Sequence, residues 1–360
     1  MSSAPDFTSL VPPDATPHLA WIATGGTIAG AGVGHTYTAG AIAAETLAAR
    51  WRLGLSLPVR VHTPYQIDSK EAAPKTWQQL HTAVSAALAA PGCRGILVTH
   101  GTDTLEESAA LLALTLNPSV PIVLTGAMRP ADDPKSDGEA NFRAALALAV
   151  DAATPPGVWV AFAGKRFPAL GVRKTHTCAR DAFAAVEPLD ASDASLPMPA
   201  PYAPASSRRG VDCSPSAPGL PLPLPTVWPS VPLLSCTAWD DVALLEAMVP
   251  AVPALVLLCP GHGSVPTRWY PAIRAATARG THIIRASRCA LGPVQPHPID
   301  AELGTWPAGI LSAAQARVAA ALVTNATPVH DERRALWRAI AAGTVPYASC
   351  PAPHHAANPP

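Results

Sequence analysis

Two hydroxyl-bearing side chains follow directly after apolar runs in the first third of the sequence. The first, Thr27, comes after an apolar segment and two adjacent glycines, Gly25 and Gly26. Paired glycines permit positive φ angles and let the backbone approach a ligand closely, so this turn can present a hydroxyl at the end of a strand. A short, exposed hydroxyl in such a turn is a candidate nucleophile, although many nucleotide sites and plain βα loops begin in the same way.

The second hydroxyl, Thr102, stands beside a carboxylate, Asp103, at the end of another apolar run. A lysine further along, Lys174, could supply an amine that activates this hydroxyl, provided that burial or neighbouring cations depress its pKa. The residues alone leave plainer alternatives open. Lys174 also fits a solvated loop cation, and Asp103 also fits the cap of a helix that begins near Thr104.

Short apolar strands alternate with helices along the first half of the chain, which predicts the scaffold for these groups. The predicted strands are Val59–His62, Gly95–Thr99, Val120–Leu124 and Gly157–Ala163, and the predicted helices are Ala41–Leu53, one that starts at Pro74, Leu105–Leu116 and Gly138–Ala153. Such alternation is typical of an α/β fold with a doubly wound, mostly parallel sheet. Ligands bind outside the carboxyl ends of the strands in such sheets, where Thr27, Thr102 and Asp103 are expected.

The length of 360 residues suits two domains, each able to bury its own core. We expect a large N-terminal domain over residues 19–190 and a smaller C-terminal α/β domain over residues 233–350. Between them, residues 191–232 contain 11 prolines in 42 residues and read as an irregular interdomain linker. In the second domain we expect strands at Ala254–Cys259 and His282–Ile284, and helices at Thr267–Arg279, at Ser312–Val323 and around Trp337.

Charge and composition exclude several classes of function. Lys and Arg number 25, as do Asp and Glu, so no net field favours nucleic acid or an anionic membrane, and the expected partner is a small molecule. The seven cysteines form no C-x-x-C pair, which suits reduced thiols in a cytosol. The segment from Met1 to His18 lacks the pattern of a signal peptide, and we expect a cytoplasmic protein. The 12 histidines show no H-E-x-x-H spacing, and no dinucleotide or P-loop motif is present, so neither a metal nor a cofactor is expected.

Five motifs, taken in order, resemble the bacterial-type L-asparaginases. They are Ala23-Thr24-Gly25-Gly26-Thr27-Ile28-Ala29, Tyr37-Thr38-Ala39-Gly40, Thr99-His100-Gly101-Thr102-Asp103-Thr104, Leu124-Thr125-Gly126-Ala127-Met128-Arg129-Pro130 and Lys174-Thr175. The resemblance covers Ala20 to Leu189 well. It continues more loosely through Gly261–Ser264, Ile284–Arg288 and Leu311–Val323.

The resemblance implies a cofactor-free amidohydrolase that converts L-asparagine to L-aspartate and ammonia, as in asparagine catabolism. By this resemblance Thr27 is the nucleophile on the side-chain amide and Tyr37 sits near it on a mobile lid. Thr102, Asp103 and Lys174 form a second catalytic cluster, and Ser69 and Asp103 match the positions that hold the α-carboxylate and α-ammonium of the substrate. The resemblance also implies a homo-oligomer, a dimer or more often a tetramer, in which a partner subunit closes the site.

The sequence departs from the family pattern at positions that bear on substrate choice. Ser69 is followed by Lys70-Glu71-Ala72, where many relatives have a small or amide residue, an acid and methionine. Many tetrameric relatives supply a glutamate from the partner subunit, and His297 occupies that position here. Asp300 and Glu302 are the candidate replacements. If neither acid reaches the site, the α-ammonium meets Asp103 alone, and we expect weaker binding of asparagine.

A turn in the second domain departs as well, with His262 and Ser264 where asparagines are common in the family. These departures leave two alternatives to an asparaginase. One is a small-molecule-binding member of the same scaffold with weakened catalysis. The other is an amidase that prefers glutamine or another small amide.

Overall fold

The computed structural model describes residues 15–34, 36–51, 57–186, 220–239 and 241–343. Most of the N-terminal segment considered for a signal peptide, the first part of the proline-rich linker and the end of the predicted C-terminal domain lie outside these residues. Within the described ranges, no helix is both long enough and apolar enough to cross a membrane.

The helices and strands alternate along the chain much as the sequence predicts. The strands are β1 His18–Ala23, β2 Ala31–Val33, β3 Thr36–Thr38, β4 Val59–His62, β5 Cys93–Thr99, β6 Pro121–Thr125, β7 Gly157–Phe162, β8 Lys165–Pro168, β9 Val172–Lys174, β10 Phe183–Ala185, β11 Leu233–Ser235, β12 Ala254–Cys259, β13 His282–Ser287 and β14 Trp306–Pro307. The α-helices are α1 Ala44–Arg50, α2 Pro74–Ala89, α3 Leu105–Thr115, α4 Gly138–Val150, α5 Val242–Met248, α6 Tyr270–Ala278, α7 Pro298–Leu303, α8 Ala313–Ala326 and α9 His330–Ala341.

The large sheet has the strand order β4-β1-β5-β6-β7-β8 in the described part of the chain. Its first five strands are parallel, and β8 returns antiparallel to β7. Side chains alternate across a strand, so β1 sends Leu19 and Trp21 into a core with α1 and α4, and Ile22 into the core on the other face with α2 and α3. Both faces of the sheet are therefore covered by helices, which confirms the predicted doubly wound α/β architecture.

The small sheet, ordered β11-β12-β13-β14, is parallel throughout its described strands. Leu255 and Leu257 of β12 pack with α5 and α6 on one face. Val256 faces the other way and joins a core with α8 and α9. That same core contains Ile96 of the large sheet. The two sheets thus share one continuous apolar interior.

The last 13 of the 42 residues of the predicted linker, residues 220–232, are packed against this interior. Leu220, Leu222 and Val231 are buried in the shared core, and the Leu222 amide donates to the Leu114 carbonyl at 2.8 Å. Residues 220–232 are therefore a packed strap between the sheets, rather than a solvated spacer. The apolar residues between the prolines explain the packing.

Helix α1 is shorter than the predicted Ala41–Leu53. The residues before Ala44 make turn contacts instead, because the Ile42 amide donates to Ala29 O at 2.9 Å and Gln66 Nε2 donates to Ile42 O at 3.1 Å. The chain is thereby held against the Thr27 turn before the helix begins. Amphipathic spacing alone does not reveal such contacts.

A buried ion pair organises the end of the small sheet. Arg285 Nε donates to Asp300 Oδ1 and Arg285 Nη2 donates to Asp300 Oδ2, both at 2.7 Å. The carboxylate also accepts the Thr305 hydroxyl at 2.6 Å and the His297 amide at 2.8 Å, while Arg285 Nη1 donates to Gly263 O at 2.7 Å. Both side chains are almost fully shielded from solvent. The pair thus ties strand β13 to α7 and to the Gly261–Ser264 turn.

Asp300→Ala is expected to destabilise the protein, because it leaves the Arg285 guanidinium buried without its counter-charge. Breaking such a pair lowers the free energy of unfolding by about 3–5 kcal/mol. The matched control is Glu302→Ala, which removes an exposed pair with Arg274 and should cost less than about 1 kcal/mol. Chemical denaturation measures both variants, and equal losses would contradict the assignment of Asp300 to the core.

Candidate active site

The turn that carries Thr27 requires its two glycines. Gly25 and Gly26 have φ angles of 95° and 77°, in the region that favours glycine. A Cβ on Gly26 would lie 2.4 Å from the Gly101 Cα, so a side chain cannot fit there. The Gly26 amide also donates to Ile67 O at 2.8 Å. The Thr27 turn is therefore in direct backbone contact with the turn that precedes Thr102.

Tyr37 lies against Thr27, as the resemblance implies. The Thr27 and Tyr37 hydroxyl oxygens are 2.8 Å apart and share one hydrogen bond. Tyr37 belongs to the two-stranded hairpin β2–β3, which follows the Thr27 turn. A Cβ on Gly30 would lie 2.8 Å from Tyr37 Cδ2, so the absence of a side chain at Gly30 leaves room for the ring. The hairpin thus places a phenol where it can exchange a proton with the threonine hydroxyl.

The second cluster is assembled around the Lys174 ammonium group. Lys174 Nζ donates to Thr102 Oγ1 at 2.8 Å and to Asp103 Oδ1 at 2.7 Å. The lysine side chain is only 19% exposed, whereas that of Asp103 is 57% exposed. Lys174 is therefore not a solvated loop cation. The alternative role for Asp103 is not found either, since α3 is preceded by Thr104 and has no side-chain cap.

Ser69 lies where the two turns meet. Its side chain is buried, and a Cβ on Gly101 would lie 2.4 Å from Ser69 Oγ. The Thr104 hydroxyl donates to Ser69 O at 3.0 Å and fixes the segment. The next residue, Lys70, points to solvent and pairs with Asp68 at 3.0 Å. The structure therefore brings Ser69 to the same edge of the sheet as Thr102.

His100 supports the site from below. It is buried, with Nδ1 2.8 Å from Gly101 O and Nε2 3.1 Å from Ser108 Oγ. Burial lowers the pKa of His100, which keeps the imidazole neutral near pH 7. Among the described residues, no group of three or more His, Cys, Asp or Glu side chains could hold a metal ion. His100 is thus a structural residue under the turn.

Sequence reasoning missed Glu106, which holds the backbone of Lys174. Glu106 Oε2 accepts the Lys174 amide at 2.7 Å, and Oε1 accepts the Ser312 hydroxyl at 2.6 Å. Burial raises the pKa of Glu106, and these two hydrogen bonds partly oppose that shift. Gln315 Nε2 adds a hydrogen bond to Glu106 O at 3.2 Å. No local pattern marks Glu106, because Glu107 follows it in the same helix and the partners of Glu106 lie far along the chain.

The candidate replacements for the partner-subunit glutamate have other roles in this chain. Asp300 is buried against Arg285, and Glu302 pairs with Arg274 at the surface. His297, at the position of the glutamate, caps α7 by accepting the Ile299 amide on Nδ1 at 3.2 Å. Asp300 is therefore structural, which argues against it as a replacement for the glutamate.

Two family models match the chain. Residues 18–194 match the model described as "Asparaginase, N-terminal", and residues 230–337 match the "Glutaminase/Asparaginase C-terminal domain". The first match includes both hydroxyl clusters, and the second includes the Arg285–Asp300 pair.

Comparisons with individual proteins also indicate the asparaginase family. A probable L-asparaginase of Deinococcus radiodurans is 31% identical over 90% of this chain and 98% of its own length. One of the glutamyl-tRNA(Gln) amidotransferase subunits of Methanosarcina acetivorans is 31% identical over 77% of this chain and 66% of its own length. The structure of a probable cytoplasmic L-asparaginase from Campylobacter jejuni superposes with a TM-score of 0.73 at 27% identity, covering 90% of this chain and 99% of the other. With its fold, its motifs and these matches in agreement, the chain belongs to the asparaginase family.

Proposed function

We propose that this protein hydrolyses the side-chain amide of L-asparagine to L-aspartate and ammonia, with Thr27 as the nucleophile. The observation that carries the proposal is the pairing of two hydroxyls with proton-exchanging partners at one sheet edge. Thr27 is bound to Tyr37, and Thr102 is bound to Lys174. An acyl transfer in two steps needs such groups, one to attack the carbonyl and the other to assist proton transfer or the attacking water.

In the first step Thr27 Oγ1 attacks the amide carbon. The threonine proton passes to the Tyr37 oxygen while the phenol's own proton passes to the amide nitrogen, and the collapse of the tetrahedral intermediate then breaks the C–N bond. Ammonia leaves and an acyl ester remains on Thr27. In the second step, water attacks the ester carbon, and its proton passes by way of the Thr102 hydroxyl to Thr27 Oγ1 as that oxygen leaves, while the Lys174 ammonium group holds Thr102 Oγ1 in place. Aspartate leaves and Thr27 regains its hydrogen.

Substrate recognition is proposed for Ser69 and Asp103. The buried Ser69 hydroxyl can donate to the α-carboxylate, and the exposed Asp103 carboxylate can accept from the α-ammonium. Asp103 Oδ1 already accepts a hydrogen bond from Lys174 Nζ, which leaves Oδ2 for the substrate.

The likeness to the probable cytoplasmic L-asparaginase of Campylobacter jejuni supports a cytoplasmic location, and the family supports a homo-oligomer.

Some relatives are named asparaginases and others amidotransferase subunits, so the names do not determine which amide is the substrate. The experiment is ammonia release by the purified protein from asparagine, glutamine and a panel of other small amides. We expect the highest kcat/KM for asparagine. A higher kcat/KM for glutamine would identify glutamine as the substrate. No ammonia release from any amide would favour a binding protein that has lost catalysis.

Thr27→Ala is expected to lower kcat on the best amide by at least about a thousandfold, because only binding and electrostatic assistance remain once the nucleophile is removed. Steady-state ammonia release measures the loss, and circular dichroism checks that the fold is intact. Near-normal turnover would exclude Thr27 as the nucleophile.

Thr102→Val and Lys174→Met should each cause a loss comparable with that of Thr27→Ala. The double variant should be little worse than either single variant, since the two side chains share one hydrogen bond and act as a unit. The kcat values of the four proteins form a double-mutant cycle. Fully multiplicative losses would show that the two residues act separately.

The preference for asparagine over succinamic acid, its deamino analogue, should depend on Asp103. Asp103→Asn should reduce the ratio of the two kcat/KM values by about 10- to 100-fold, as expected for one lost charge-assisted hydrogen bond. Taking a ratio cancels any general effect on Lys174. Glu302→Ala is the control and should leave the ratio unchanged. A loss of preference in that control would mean that Glu302 does reach a substrate.

A further inference from the structure

The hairpin that carries Tyr37 has a second edge, which faces a loop in the large domain. In the antiparallel pairing of β2 with β3, Gly32 stands opposite Tyr37. On the side of β2 away from β3 lie the backbone groups of Gly32 and of the two residues that flank the strand, Gly30 and Gly34. Each of these three makes a hydrogen bond to the segment that follows Pro130.

Two of these hydrogen bonds end on adjacent carboxylates. The Gly32 amide donates to Asp132 Oδ2 at 3.0 Å, and the Gly34 amide donates to Asp133 Oδ2 at 3.1 Å. The third joins backbone to backbone, with the Ala131 amide donating to Gly30 O at 3.1 Å. The turn at residues 131–133 is therefore joined to the hairpin by one backbone hydrogen bond and by two hydrogen bonds to carboxylates.

Other residues hold both carboxylates in place. Arg50 Nη1 donates to Asp132 Oδ1 at 2.6 Å, and Arg129 Nη1 donates to Asp133 Oδ2 at 3.2 Å. The Lys135 amide donates to Asp133 Oδ1 at 2.8 Å, and Asp133 is largely buried. Hydrogen bonds to ionised acceptors are about twice as strong as neutral ones, so these carboxylates hold the two amides more firmly than neutral acceptors would.

The hairpin needs such anchors. Each of its strands has three residues, and an isolated two-stranded hairpin is at best marginally stable in water. Val33, near its tip, is 58% exposed, so it contributes little burial. Any loosening of the hairpin moves Tyr37, which sits opposite Gly32, away from Thr27.

We propose that Asp132 and Asp133 are positioning residues that latch the β2–β3 hairpin and thereby hold the Tyr37 hydroxyl on Thr27. The latch itself is a property of the fold. Its effect on catalysis rests on the proposed function, in which Tyr37 receives the Thr27 proton. Asp132 is the better residue to test, because Asp133 also closes the turn that contains Lys135.

The first test is hydrogen–deuterium exchange in the hairpin, which needs no substrate. In Asp132→Ala the Gly32 and Gly34 amides should exchange about tenfold faster, as expected for the loss of one charge-assisted hydrogen bond. Asp132→Asn, which keeps an acceptor oxygen, should restore part of the protection. The matched control is Asp151→Ala, since Asp151 also accepts one backbone amide, that of Ala153 at 2.9 Å, on the far side of α4. Unchanged exchange in Asp132→Ala would overturn the latch.

The second test asks whether the latch acts through Tyr37. Asp132→Ala should lower kcat about tenfold in the wild-type background but have little effect on Tyr37→Phe, because no phenol hydroxyl is left to position. If Asp132 had a merely structural role, Asp132→Ala would lower kcat by the same factor in the wild type and in Tyr37→Phe, and that result would overturn the proposal. If no amide yields ammonia, the proposed function fails, and the exchange measurements still decide whether the latch exists.

Discussion

The Lys174 ammonium group is the interaction on which the candidate site depends. It is the only group that joins Thr102 to Asp103 among the hydrogen bonds of the described residues, and it comes from a strand of just three residues. A mostly buried cation needs a partner charge, and Asp103 supplies it at 2.7 Å. The exposed side of the pair faces solvent, so a substrate can approach the carboxylate without breaking the contact with the hydroxyl.

The second domain supports the candidate site, although it contributes no reacting group. The Glu106 carboxylate is buried between the Lys174 amide and the Ser312 hydroxyl, at the start of α8. The Gln315 side chain makes three more hydrogen bonds across this contact. It donates to the carbonyls of Glu106 and Ala169 and accepts from the Gly171 amide. An unsatisfied carboxylate would be costly here, so the position of α8 and the position of Lys174 are coupled.

The features that can be predicted best from the sequence are those that depend on residues close together in the chain. Apolar runs bounded by glycine and proline locate strands such as β4 and β12 to the residue, and hydroxyls at strand ends mark Thr27 and Thr102. Groups whose partners lie far along the chain are not predictable in this way. Glu106 meets Ser312 across 206 residues, and Asp132 meets Gly32 across 100. On sequence grounds such carboxylates are indistinguishable from solvated ones.

The two hydroxyl clusters differ in how firmly they are anchored, and this difference fits the chemistry proposed for each. Thr102 and Lys174 lie next to elements of the shared core, which suits the role proposed for them in assisting the attacking water, since that role needs a fixed geometry. Tyr37 sits on a hairpin held by an edge of hydrogen bonds, with little apolar burial. Opening an edge held by a few hydrogen bonds costs less free energy than opening a packed core, because water can replace the lost hydrogen-bond partners. In the proposed function, the hairpin is therefore the element that we expect to open for an amide and then to restore the Thr27–Tyr37 contact.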